Sequence, residues 1–136
     1  MRKTTLNSIR DEEGQAIVEF AFVAPLLLVL LFGIVQLGIA FNNYLTLTDA
    51  TRAGARKAAV SRFTGDRGAA AKAAVITAAS GLDSATLAKT VTVTSTDWTT
   101  GGSDVVVTAT YPYSINLLGF VVKSGDLKST TTERLE

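Results

Sequence analysis

FAFVAPLLLVLLFGIVQLGIAF, residues 20–41, carries no charged side chain and one amide, Gln36. As a helix these 22 residues extend about 33 Å at 1.5 Å per residue, enough for a hydrocarbon core of about 30 Å. Fifteen of them are Leu, Ile, Val or Phe. On an insertion scale that is about −5 to −9 kcal/mol gross, which outweighs one Gln, one Pro and two Gly. The competing reading, a buried core helix, fails on size: little else in so short a chain could enclose a helix apolar on every side. Phe41 and Tyr44 fall where aromatic side chains gather at a membrane interface.

Outside this stretch the chain is ordinary. It has 136 residues, 47% of them hydrophobic, and a net charge of +1. Mean hydropathy is +0.30, a surplus concentrated in the apolar run. A balance so near neutrality makes no case for nucleic acid as a partner. Cysteine and histidine are both absent. That leaves no thiolate nucleophile, disulfide framework or general base titrating near neutrality, and a metal would have only carboxylates and carbonyls. No cofactor is expected. Asp97 and Asp104 are candidate catalytic carboxylates, but no His, Cys or signature Ser context accompanies them.

Asp11-Glu12-Glu13-Gly14-Gln15-Ala16-Ile17-Val18-Glu19-Phe20 leads into the apolar run. A short polar leader ends at a glycine, the helix begins at once, and one carboxylate, Glu19, stands five residues past the glycine. A lone carboxylate is costly if driven into a bilayer, unless a specific cation meets it. Cleavage after Gly14 creates one, the α-amino group of Gln15, about a helical turn from Glu19. The two charges can pair within one chain or between chains staggered in a stack. A secretory signal cut after Gly38-Ile39-Ala40 is the competing reading. It is disfavoured by the length of the apolar run and by Glu19 at its entrance.

Gly14-Gln15-Ala16-Ile17-Val18-Glu19-Phe20 resembles the cleavage junction of class III signal peptides in type IV pilins, especially the Flp/Tad subclass. Phe20-Ala21-Phe22-Val23-Ala24-Pro25-Leu26-Leu27-Leu28 and Thr51-Arg52-Ala53-Gly54-Ala55-Arg56 are similar to the TadE-like family, over about residues 14–60. Phe20 departs from the Tyr that major Flp pilins prefer. The resemblance implies a minor pilin or pseudopilin and a prepilin peptidase that removes residues 1–14. It implies Gly14, Gln15, Glu19 and Phe20 as the processing residues, with Gln15, Glu19 and Pro25 serving assembly. Other pilin or pseudopilin subunits, the pilus assembly machinery and membrane lipid are the implied partners.

Pro25 removes a backbone donor and crowds the carbonyl of Ala21, so a kink or short unwound patch is expected between them. Beyond the span, residues 42–62 hold few helix breakers and read as a stalk continuing the helix. Leu47, Ala50, Gly54 and Ala58 make a narrow stripe of small residues on it. Arg52 and Arg56, four apart, read either as a basic face for anionic lipid or a partner's carboxylates, or as a solvated face.

Residues 63–68 signal a turn, and residues 69–80 a second, alanine-rich helix capped by Gly81. Residues 89–96 alternate as a strand, 99–103 form a turn, and 104–113 form the partner strand, ended by Pro112. Residues 115–122 read as an unusually apolar loop, packed under the sheet or against another subunit. Thr-rich residues 127–135 return as a third strand. Trp98, Tyr111 and Tyr113 read as sheet packing in preference to a sugar-stacking platform.

The expectation is an α+β protein with a long leading helix and a small antiparallel sheet. Its parts are a leader at 1–14, a transmembrane and stalk helix at 15–62, and an exported domain at 63–136. Basic residues tie across the span, with Arg2, Lys3 and Arg10 before it and Arg52, Arg56 and Lys57 after. The junction therefore decides orientation: N-terminus in the cytoplasm, C-terminal domain outside. Two readings of function follow, a non-enzymatic pilin-like subunit and a tethered binding or adhesion module never assembled into a filament.

Overall fold

The computed structural model describes residues 5–61, 66–117 and 119–136, with side chains from residue 14 onward. Its elements are α1 (Thr5–Val60), α2 (Arg67–Ala78), α3 (Ser84–Thr90), β1 (Thr92–Ser95), β2 (Asp104–Leu117) and β3 (Phe120–Arg134). The fold is α+β, as the sequence implies.

One helix of 56 residues makes both the apolar span and the stalk. It passes through Gly14 and through Pro25 without a break, so the expected unwound patch between Ala21 and Pro25 does not form. Proline deletes a single donor, and the flanking turns keep their own bonds. Burial begins only at Leu47 and recurs at Ala50, Thr51, Gly54, Ala55, Ala58 and Ala59. That is a stripe of helical period, and it lies against α2 and the sheet. The part of the helix that joins the folded core therefore starts at Leu47.

Asp66 caps α2: its carboxylate accepts from the Ala69 amide at 2.9 Å. The turn expected at 63–68 otherwise lies mostly outside the described residues. The helix starts at Arg67 and ends at Ala78 with Ala79 as its cap, so Gly81 is not the cap; it sits in the following turn at φ 91°. A third helix, α3, then takes up Lys89 and Thr90, which the alternation assigned to a strand. Asp83 starts it, accepting from the Thr86 amide at 2.8 Å.

The sheet is antiparallel in the order β1-β2-β3. Val105, Val107 and Ala109 on β2 face the helices and are buried, with Leu87, Val91 and Leu135 closing the core. β1 pairs only with residues 105–108, whereas β2 and β3 pair along their whole length as a long two-stranded arm. Pro112 does not end the strand: β2 runs through it, pairing it with Asp126, to Leu117. On that stretch β2 has one neighbour, and a proline is tolerated where a strand has an open edge. The apolar segment 115–122 is likewise no loop. It is the end of this hairpin, turning at Gly119 with φ 90°.

A polar knot fixes the sheet on α1. Thr51 is fully buried; its hydroxyl donates to the Thr48 carbonyl at 2.8 Å. It meets the Ser129 hydroxyl at 2.9 Å and the Thr131 hydroxyl at 3.1 Å. One donor and two lone pairs satisfy all three contacts. At the chain's end, the Glu136 amide donates to the Ala59 carbonyl at 3.3 Å.

Candidate functional site: the unburied helix and its junction

The surface that stands out is α1 below the core. An 18-residue window within Gly14–Val60 has a mean hydropathy of 2.6, and none of it is buried by the rest of the protein. Phe20 is 69% exposed, Phe22 80% and Leu26 69%. A core helix of a soluble protein would be covered by its own chain; this one is bare. Among the described residues it is the one helix long and apolar enough to cross a membrane, and it suggests a membrane anchor.

The junction residues all lie on this bare rod. Gly14, Gln15, Glu19 and Phe20 are exposed, and nothing lies within 4 Å of where a Cβ on Gly14 would sit. Gln15 and Glu19 are four residues apart on continuous helix, hence on one face and about 6 Å apart along the axis. Pro25 is exposed two turns further on. The leader before Gly14 lies outside the described side chains.

Arg52 and Arg56 are on the solvent side of the stalk, opposite the buried stripe. Arg52 reaches Asp49 at 3.4 Å, with both side chains largely exposed. An exposed pair of this kind contributes little to stability. Arg52 also stands about 16 Å beyond Phe41 along the helix axis, outside a headgroup layer only several ångströms thick.

The aromatic residues read as packing. Trp98 and Tyr111 lie against the core, and the Tyr111 hydroxyl accepts from the Asp83 amide at 3.1 Å. Asp97 closes the β1–β2 turn. Its carboxylate accepts from the Thr99 amide at 2.8 Å, the Thr99 hydroxyl at 2.6 Å and the Thr100 hydroxyl at 2.5 Å. These bonds, the Thr100 hydroxyl first, lower its pKa from 3.8 to about 2. Asp97 is thus engaged as a loop staple. Among the described residues no cluster of three or more acidic side chains is placed to hold a metal ion.

A depressed pKa means that the turn gains stability from ionised Asp97, fully present above pH 3.8 and lost as pH falls towards 2. Asp97→Ala is therefore expected to have a lower melting temperature at pH 7, and to lose less between pH 4 and pH 2 than the parent does. Circular dichroism melts over a pH series check this; parallel curves for the two proteins would contradict it.

Sequence reasoning missed two features. The Thr51 knot joins residues 78 and 80 positions apart, which no local pattern signals. The path of the hairpin arm was also invisible: it runs back along the bare part of α1, where Tyr113, Ile115 and Lys123 line an open groove with Leu37, Phe41 and Tyr44. The excess of apolar residues at 115–122 was the one available hint.

Fold and surface together define a class: a small α+β domain carried on a single helix of span length. The family model for TadE-like protein matches residues 14–56, and over that segment the chain is similar to that family. The match runs from the junction glycine through the bare rod to Arg56, covering the buried stripe as far as Ala55. No curated protein and no solved structure matches the chain.

Proposed function

We propose that the protein is a non-enzymatic, membrane-anchored minor pilin or pseudopilin of a Tad/Flp-type pilus system, cleaved after Gly14 by a prepilin peptidase. The observation that carries this reading is the coincidence of three things on one segment. The TadE-like match begins at Gly14, the helix there is bare over a membrane-spanning length, and Glu19 sits one turn from the residue that cleavage would expose. In this reading the N-terminus starts in the cytoplasm, and the stalk and residues 63–136 lie outside. The new Gln15 amine and Glu19 pair between neighbouring subunits, where lipid or packed helices exclude water and an unpaired carboxylate would be costly. Pilin or pseudopilin subunits and the assembly machinery are the partners, meeting α1 along its apolar surface. The solvated Arg52 and Arg56 are available to a partner's carboxylates.

Intact mass of the membrane-extracted protein from its own host tests the reading. The expected chain begins at Gln15. Gly14→Leu is expected to abolish cleavage and leave the full leader attached. Glu19→Gln is expected to be cleaved and membrane-bound yet absent from sheared pilus fractions. A functional parent protein that retains its first fourteen residues would leave a tethered binding module as the better reading.

A further inference from the structure

The β2–β3 hairpin runs in the wrong direction for an arm that serves only the outer domain. The Thr51–Ser129 contact at 2.9 Å fixes its level on α1, and Ser129 pairs with Ala109. From Ala109 to Leu117 the strand descends about 26 Å at 3.3 Å per residue. Helix α1 covers that distance in about 17 residues, which brings Leu117 level with about residue 34. The groove confirms the path midway, since Ile115 and Lys123 line it together with Leu37 and Phe41. The end of the hairpin is therefore level with helix residues of the bare apolar rod, about 10 Å past Phe41 towards its centre.

Composition changes along the arm in step with this descent. The outward-facing positions of β3 are Thr132, Thr130, Lys128, Asp126 and Ser124, all polar, and then Val121. At the tip Phe120 is 78% exposed, Val121 63% and Val122 62%. Three adjacent large apolar side chains exposed at a strand end are unusual on a water-facing surface. A tip so small is far below the area that a stable protein–protein contact needs. At that depth, however, the medium around α1 is the bilayer itself.

We infer that the hairpin tip, carried by Phe120, Val121 and Val122, inserts into the outer leaflet beside α1 and acts as a second, shallow membrane contact. This rests on reading α1 as a bilayer span. The ladder pairs the backbone groups that face across the arm, and those on its open outer edges need water or headgroup partners, which holds the contact to interfacial depth. The depth matches the roughly 5–10 Å to which interfacial elements sink their apolar face. Lys123, exposed at the base of the tip, is placed to extend its ammonium to the phosphate layer while its stem stays apolar. Two contacts in place of one would hold the domain at a fixed tilt and height over the membrane.

The chain contains no cysteine, so single nitroxide labels can be placed without altering any native thiol. Val121→Cys, Ser124→Cys and Lys128→Cys share the outward face of the arm, and Ile34→Cys reports the span itself. Each is labelled in the full chain, reconstituted in phosphatidylcholine–phosphatidylglycerol vesicles, and probed for collision with oxygen and with a water-soluble nickel chelate. The expected result is an oxygen-to-nickel ratio several-fold higher at Val121 than at Lys128, with Ser124 between them. A Val121 label as open to nickel as Lys128, with Ile34 in lipid, overturns the insertion and leaves the anchor standing. A Val121 label shielded from both reagents means a protein covers the tip, which also overturns it. Nickel access at Ile34 would remove both this inference and the anchor reading.

Discussion

Gly54→Ala is expected to destabilise the folded α+β domain by about 1–3 kcal/mol, lowering its melting temperature by roughly 5–20 °C. A Cβ at this position would stand 2.3 Å from Val75 Cγ2 and 3.0 Å from the Ala71 carbonyl oxygen. Val75 is fully buried and cannot swing aside, and Ala71 presents backbone, so α2 would have to move as a body. Alanine's better helix propensity recovers at most about 1 kcal/mol of this. Gly38→Ala is the matched control: nothing lies within 4 Å of its Cβ, and its effect on the domain's melt should be within about 0.5 kcal/mol. Melts of the full chain in detergent, followed through Trp98, the single tryptophan, report both. If the two alanine variants melt together, close α1–α2 approach is not what Gly54 provides.

Leu47→Ala should cost about 2–5 kcal/mol, the range for removing a large buried aliphatic side chain and leaving a cavity. Leu47 is 0% exposed and is the largest α1 side chain in the core; its replacement leaves a void in a core that holds many small residues, Ala50 and Ala109 among them. Leu45, two residues earlier, is 47% exposed. Leu45→Ala should leave the denaturation midpoint nearly unchanged in the same detergent. The pair locates where α1 stops being a membrane rod and becomes part of a folded core. Equal effects would move that transition nearer the membrane.

What could be read from the sequence followed the range of the interaction. The span at residues 20–41 is legible because bulk composition determines its partitioning. The stripe at Leu47, Ala50, Gly54 and Ala58 is legible because helical period brings it to one face, and the structure buries all four. Alternation exposed the cores of β1 and β2. Helix α3 escaped notice because SATLAKT is seven residues long and carries one buried anchor, Leu87. Pro112 misled because its tolerance depends on β1 being too short to pair beside it, a fact of topology. The apolar run at 115–122 was noticed, but its level against α1 is set by contacts at Thr51 more than sixty residues away. Of the junction, the pattern Gly14 to Phe20 was fully visible; the uninterrupted helix through it was not.

The unbroken course of α1 from the junction into the core has a rotational consequence. Each residue of an α-helix turns the chain by about 100°. The azimuth of Glu19 relative to the sheet is thus set by how many residues separate it from Gly54, with no joint between them to absorb an error. A single-residue insertion near Asn42 would swing the carboxylate about a quarter-turn or more away from its bearing on the domain. Seven inserted residues would nearly restore that bearing while lifting the domain by about 10 Å. The rod therefore acts as a phase-keeping shaft, and the docking direction of one end is encoded in the other.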